Sequence, residues 1–200
     1  MADISPLGAW QEYGPHWSGR RGASSPPARN RLCRQALGLP DPTVLRDPAR
    51  LARVRTLIAS APDSAVLAGL VHLAGHLANA DSAQLSLLAD VQHATVIQCC
   101  DPTPWQQTND VDDSLCTVTV LSRDVLVAAD THRHPWLHDL PPVLTGAVGA
   151  YLGVPLQLTD GTVVGALCVY GPQPRTWTDR DVTFTCQVAE VLALELQRLS

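Results

Sequence analysis

Lysine is absent from this chain: all fourteen basic residues are arginine, a bias that suggests GC-rich coding and carries no mechanistic weight. Positive charge is scarce as well. With a net charge of −5 and a pI near 5.7, the chain lacks the cationic excess of a phosphate-backbone binder, so nucleic acid is not an expected partner. No apolar run approaches bilayer length, and the N-terminus lacks the basic-then-apolar order of a secretory signal. The expectation is no membrane contact and a cytoplasmic location. The six cysteines, Cys33, Cys99, Cys100, Cys116, Cys168 and Cys186, show no CxxC spacing. That fits neither a disulfide framework nor a zinc knuckle, and most are expected to be reduced and buried. A Gly-rich phosphate loop, HExxH and GxSxG are missing too, and the carboxylates form no compelling catalytic pair.

What the chain does have is apolar surface: 46% hydrophobic residues over 200 positions suffice for one packed core. Residues 1–42 are rich in Pro, Arg and Ser without apolar period and read as a largely disordered arm. Its Trp10, Tyr13 and Trp17 either dock on a partner, fold back on the domain or stay exposed. Asp47-Pro48 then supplies an N-cap and a proline at the first helical position, followed by Leu51, Val54, Leu57 and Ile58 at helical spacing. Pro62 interrupts, and Asp63 or Ser64 caps a second helix. Its apolar stripe is Val66, Leu67, Leu70, Leu73 and Leu77, its solvent side carries His72 and His76, and Asn79 ends it. Strands are expected over 84–88 and 93–100, a polar loop over 101–113, a short helix over 114–121 and a strand over 125–129. A long loop over 130–146, with three His and three Pro, has the look of a functional segment.

The sharpest local signal is a hairpin over 151–170 with Asp160-Gly161 as a two-residue tip. That register puts Leu152, Val154, Leu156 and Leu158 on one apolar face with Val163, Gly165, Leu167 and Val169. The other face gathers Tyr151, Gly153, Pro155 and Gln157 against Val164, Ala166, Cys168 and Tyr170, a mixed surface suited to lining a pocket. Pro155 argues for an edge or a bulge. Thr178 and Asp181 approximate a capping box ahead of Val182, Thr185, Ala189, Leu192, Leu196 and Leu199, a long amphipathic terminal helix. The order of elements gives an α+β domain with an antiparallel sheet and helices on its apolar face.

Ser114-Leu115-Cys116, the stretch 125–141 that passes from strand to Asp130, YLGVPL at 151–156 and DGTVVGALCVY at 160–170 occur in an order and spacing that resembles the GAF sensory domains. The likeness runs from about Asp47 to Leu199 and suggests a single GAF domain over 43–200. It implies a central antiparallel sheet with helices packed on one face and a loop-covered ligand pocket on the other. By position, Cys116, Asp130, Tyr151 and Cys168 resemble the family's pocket-side residues. Two sites depart from the pattern: Cys116-Thr117-Val118 stands where relatives often carry Cys, a small residue and His, and His134-Pro135 where they often carry Asp-Pro.

The ligand-binding candidates are therefore Cys116, Asp130, His134, Trp136, Tyr151, Gln157, Cys168 and Tyr170, for a small organic ligand or haem. Trp136, Tyr151, Tyr170 and Trp177 could wall a planar ligand, or simply be core. His132, His134 and His138, with Asp139, are the densest candidate metal or haem ligands, against the plainer reading of a solvated loop. Cys116 and Cys168 are candidates for a redox pair across the pocket, against buried packing; Cys99-Cys100 reads as packing. The leading expectation is a small-molecule-binding sensory module that signals through a homodimer built on the terminal helix, or through a protein partner, with no output domain attached. The alternatives are an interaction module with a vestigial pocket, and a cysteine- or metal-dependent enzyme similar to free methionine sulfoxide reductase.

Overall fold

Short polar caps set where the helices begin. In the computed structural model, which describes residues 38, 42–61, 64–89, 92–98, 107–110 and 114–199, a 3-10 turn at Pro42–Arg46 leads into α1 (Pro48–Ser60). Asp47 caps α1 by accepting from the Arg50 amide at 2.7 Å, and Ser64 caps α2 (Ala65–Leu77) by accepting from the Leu67 amide at 3.2 Å. Asp63, like the arm over 1–37 with its three aromatics, lies outside the described residues. Asn79 takes φ +45°, and the bonds from its amide to His76 and from Ala80 to Gly75 close α2 in a left-handed turn. The face that α2 buries is Leu67, Val71 and Ala74; Val66 and Leu73, expected inside, are 55% and 43% exposed. His72 and His76 are exposed, as the helical spacing requires.

Among the described residues, six strands form one antiparallel sheet in the order β3-β2-β1-β6-β5-β4. They are β1 (Ser82–Leu88), β2 (Gln92–Gln98), β3 (Gln107–Asp110), β4 (Leu126–Ala128), β5 (Ala150–Gln157) and β6 (Val163–Gly171). β3 falls inside the stretch read as loop. Its sequence QTND has no apolar alternation, and only pairing with β2 makes it a strand. Between β3 and β4 lies α3 (Leu115–Ser122); between β4 and β5 lie a 3-10 turn (Thr131–Arg133) and α4 (Pro141–Leu144), and α5 (Asp179–Leu199) closes the chain. α5 starts on the expected capping box, with the Thr178 amide donating to Asp181 at 2.9 Å and the Asp181 amide donating to Thr178 Oγ1 at 3.2 Å.

The β5–β6 hairpin differs from its expected tip. Leu158 accepts from Gly161 and donates to Thr162, so the loop holds three residues, Thr159 to Gly161, with Gly161 at φ +83°. A register shift between Leu156 and Gln157 then restores Leu156↔Gly165, Val154↔Leu167 and Leu152↔Val169. The consequence is an exchange of faces at the tip: Val164, not Val163, joins the helix-side core, and Val163 joins the opposite cluster.

α1, α2 and α5 cover one face of the sheet, packing Val54, Leu57, Leu67, Val71, Leu192 and Leu196 on Leu85, Leu152, Leu167 and Val169. α3 and the 130–146 segment cover the other face. Arg50 closes the rim where α1 meets the sheet. Although buried, its guanidinium donates to Val163 O at 2.8 Å, Leu88 O at 2.8 Å and Leu45 O at 3.0 Å. Burial lowers its pKa to about 10, opposed by nearby Asp47, so it stays charged at neutral pH. At the other end of the sheet, Trp177 Nε1 donates to Ala128 O at 3.1 Å, while Arg175 stacks on the Trp177 ring and donates to the carbonyls of Ala78 and Asn79, just past the end of α2.

Candidate functional site

Strand alternation sorts β1 into two kinds of face. Ala83, Leu85 and Leu87 point into the helix-side core, so Ser82, Gln84, Ser86 and Leu88 face α3. Pairing sets Gln84 opposite Cys168 and Cys168 opposite Gly153, a row across β1, β6 and β5. Gly153 leaves the row open, because a Cβ there would meet the ring and hydroxyl of Tyr151 and the hydroxyl of Thr119. Through that gap the Tyr151 hydroxyl reaches Cys168 Sγ at 2.9 Å and Thr119 Oγ1 at 2.8 Å. Ser114 caps α3, accepting from the Cys116 amide, and so presents Cys116 and Thr119, three residues apart, to the sheet.

Cys116 Sγ lies 3.1 Å from Cys168 Sγ, 3.4 Å from Ser86 Oγ and 3.4 Å from Gln84 Nε2. Gln84 Nε2 also donates to Ser86 Oγ at 2.8 Å, and the Tyr170 hydroxyl donates to Gln84 Oε1 at 3.1 Å. One continuous network thus runs from Tyr170 through Gln84, Cys116, Cys168 and Tyr151 to Thr119, set in apolar surroundings that include Val118, Leu126, Leu137 and Ala166. Neither sulfur is in a disulfide, and both are buried. Burial pushes the Cys168 thiol and the Tyr151 phenol well above their usual values, and the two cysteines push the phenol further. Both groups are therefore neutral at physiological pH.

That state has a pH signature. An acid whose folded pKa is raised contributes stability that is complete below its ordinary value, here 9.0 for Cys168 and 10.0 for Tyr151, and lost as pH climbs through the folded value. The urea midpoint is expected to hold between about pH 7 and pH 9 and to fall above it. Tyr151→Phe should cost about 1–2 kcal/mol at neutral pH and make the fall above about pH 10 shallower. Parallel alkaline profiles for the variant and the parent would contradict the burial argument.

The structure brings together Cys116, Tyr151, Cys168 and Tyr170 of the sequence candidates. The other four lie apart from this network. Asp130 caps the 3-10 turn, accepting from the His132 amide at 3.0 Å, and its carboxylate is 3.5 Å from His132 Nδ1. Half-buried His134 accepts at Nδ1 from the Trp136 amide at 3.3 Å and sets its ring edgewise to Trp136; burial, then His138, lower its pKa. Trp136 packs on the edge of the apolar cluster. Gln157 keeps the face of Tyr151 and pairs with Val163, but at the hairpin tip it is exposed and donates to Gly161 O. His132 and His138 are exposed, and among the described residues no three His, Cys, Asp or Glu side chains gather to hold a metal ion.

Sequence reasoning did not single out Gln84, Ser86 or Thr119, although the alternation of β1 and the spacing from Cys116 on α3 carried the signal. It also passed over Arg50, which shares the buried side of α1 with Val54 and Leu57 at helical spacing.

The family model for the GAF domain matches residues 62–196. The chain belongs to the GAF family. Among solved structures, the GAF domain of an Acinetobacter phosphoenolpyruvate-protein phosphotransferase is similar, with a TM-score of 0.56 at 16% identity, covering 76% of this chain and 95% of that one. The type II free methionine-R-sulfoxide reductase of Thermoplasma acidophilum gives a TM-score of 0.55 at 16% identity over 71% and 96% of the two chains. The GAF domain of PixJ from Thermosynechococcus elongatus, in its blue-light absorbing form, gives 0.52 at 18% over 74% and 89%. At these identities the likeness shows a shared GAF fold. No curated protein matches the chain in sequence. Among the described residues no single helix of this GAF domain is long and apolar enough to cross a membrane.

Proposed function

We propose that this GAF domain is a small-molecule-binding regulatory module whose ligand is received between the sheet and the cover formed by α3 and residues 130–146. The reading rests on the contrast between the two faces. The sheet gives the helix side apolar residues such as Leu85, Leu152 and Leu167, and gives the other side Gln84, Ser86, Tyr151, Cys168 and Tyr170. Polar groups are kept in an apolar enclosure where they orient something. On α3, Thr117 Oγ1 is buried without a hydrogen-bond partner among the described residues, an expense of about 1–3 kcal/mol that a ligand's polar group would offset. The fold alone does not choose a ligand, since the similar structures include a light-absorbing domain and an enzyme.

Signal output through a second copy is part of the same proposal. α2 and α5 pack along one another and leave Val66, Leu73, Val191 and Leu194 exposed by 43–58%. On the terminal helix expected to build the homodimer, Leu196 is fully buried in the core, and the exposed Val191 and Leu194 are the residues that support a seam there.

Native mass spectrometry of the gently purified full chain tests both parts. The expected result is a dimer carrying a stoichiometric extra mass that is lost on denaturation. A bare mass, combined with no rise in melting temperature across a panel of nucleotides, amino acids and aromatic acids, would overturn ligand binding. A monomer at micromolar concentration would overturn the dimer. A true ligand at about 100 times its Kd should raise the melting temperature by several degrees.

A further inference from the structure

We infer that Cys116 and Cys168 are a dithiol built to close into a reversible disulfide in response to hydroperoxides, which would pin α3 to β6. This stands apart from the ligand proposal and needs no ligand bound. Two observations carry it. The sulfurs are 3.1 Å apart, inside van der Waals contact, on two different elements 52 residues apart in sequence. A metal held by both thiolates at about 2.3 Å in tetrahedral geometry would set the sulfurs roughly 3.8 Å apart, so the spacing favours a direct bond. The polar groups of the network also converge on the pair: Gln84 Nε2 donates to Cys116 Sγ, and the Tyr151 hydroxyl sits 2.9 Å from Cys168 Sγ.

The chemistry closes without any further reactant. Cys116 releases its proton and, as its thiolate, attacks the distal oxygen of the hydroperoxide; the O–O bond breaks, the departing hydroxide or alkoxide takes up that proton to leave as water or an alcohol, and the sulfur becomes a sulfenic acid. The Cys168 sulfur then displaces hydroxide from the Cys116 sulfur. An S–S bond forms, the S–O bond breaks, and the Cys168 proton leaves with the hydroxide as water. In sum, two thiols and one hydroperoxide give one disulfide, one alcohol or water, and one water. Because both sulfurs are buried, the oxidant must enter through local opening of the α3 cover, which makes the reaction slower than that of an exposed thiol.

Peptide mapping of the full chain after treatment with limiting hydrogen peroxide tests this directly. With no lysine in the sequence, trypsin leaves Cys116 in the peptide 56–123 beside Cys99 and Cys100, and Cys168 in 134–175. The map is therefore run on Cys99→Ser/Cys100→Ser protein. The expected product is a 116–168 crosslink in most molecules, 2 Da lighter than the two thiols in line with loss of two hydrogens, removed by dithiothreitol, with a melting temperature raised by several degrees. Cys168→Ser, checked for native circular dichroism, should leave Cys116 as a sulfenic acid that dimedone traps. Absence of the crosslink in the folded protein, or thiols that oxidise only in urea, would overturn the inference, as would pairing of either cysteine with Cys186 instead.

Discussion

Replacing Arg50 with methionine is expected to lower the unfolding free energy by about 3 kcal/mol, read as a fall of roughly 1–2 M in the urea midpoint at unchanged slope. The substitution keeps an apolar stem of similar length and removes the guanidinium. Three carbonyls, those of Leu45, Leu88 and Val163, then lose their shared donor at a buried rim. Each stranded acceptor costs about 1 kcal/mol or more, and the relief of no longer burying a charge offsets only part of this. Lysine is a poor replacement, because a point-like ammonium cannot span acceptors contributed by the 3-10 turn, β1 and β6 as a planar fork does. Arg53, one turn along the same helix, is the control. Its ion pair with Asp160 is solvent-exposed, and Arg53→Met should cost less than about 1 kcal/mol. If the two variants unfold at the same urea concentration, the rim is not held in the way described.

Gly165→Ala should be at least as damaging, at about 3 kcal/mol or more, with a loss of soluble protein as its first sign. A Cβ on Gly165 would overlap the carbonyl oxygen of Ser86 and crowd Leu87 Cα at 3.1 Å. Those are backbone atoms of the neighbouring strand and cannot rotate away as a side chain would. The β1–β6 ladder would have to part at the pairing Leu87↔Gly165 in the middle of the sheet. Gly69→Ala is the matching control, since nothing lies within 4 Å of its added methyl and alanine favours the helix. It should be neutral or slightly stabilising. A soluble Gly165→Ala protein with the parent's urea midpoint would show that the strands are not packed so closely.

How far the sequence could be read depended on whether the signal was local. Asp47-Pro48, Ser64, Ser114 and the Thr178–Asp181 pair declare helix starts because a cap is made within four residues. The apolar alternation of β5 and β6 likewise gave the right faces from Leu156 inward. The signal failed where one residue more or less changes a face, as at Val163 and Val164, and where pairing alone makes a strand, as at Gln107–Asp110. The stripe expected on α2 holds at Leu67, Leu70 and Leu77 and fails at Val66 and Leu73, because leucine and valine outweigh alanine and glycine as cues. Ala74 and Gly75 are buried instead. At the candidate site, Cys116, Tyr151, Cys168 and Tyr170 were legible through the family resemblance and strand register. Gln84 and Ser86 were not, because polar residues in a strand ordinarily face water, and here α3 covers that side.

α3 is an unusual helix. Its eight residues, LCTVTVLS, are rich in threonine and valine, which wind poorly, and the segment is shorter than any helix that persists in water by itself. Leu115 through Leu121 are all buried, chiefly against β5 and β6, which are made thirty to fifty positions later in the chain. Local conformational preference does not wind it; its partners do. Its winding is therefore tied to strands that lie far along the chain: without the sheet through residue 171 it has no template, and Cys116 and Thr119 have no fixed place. Variants that loosen β5 or β6 are accordingly expected to unwind α3 and scatter the polar network of this face, even where the substituted residue touches neither thiol.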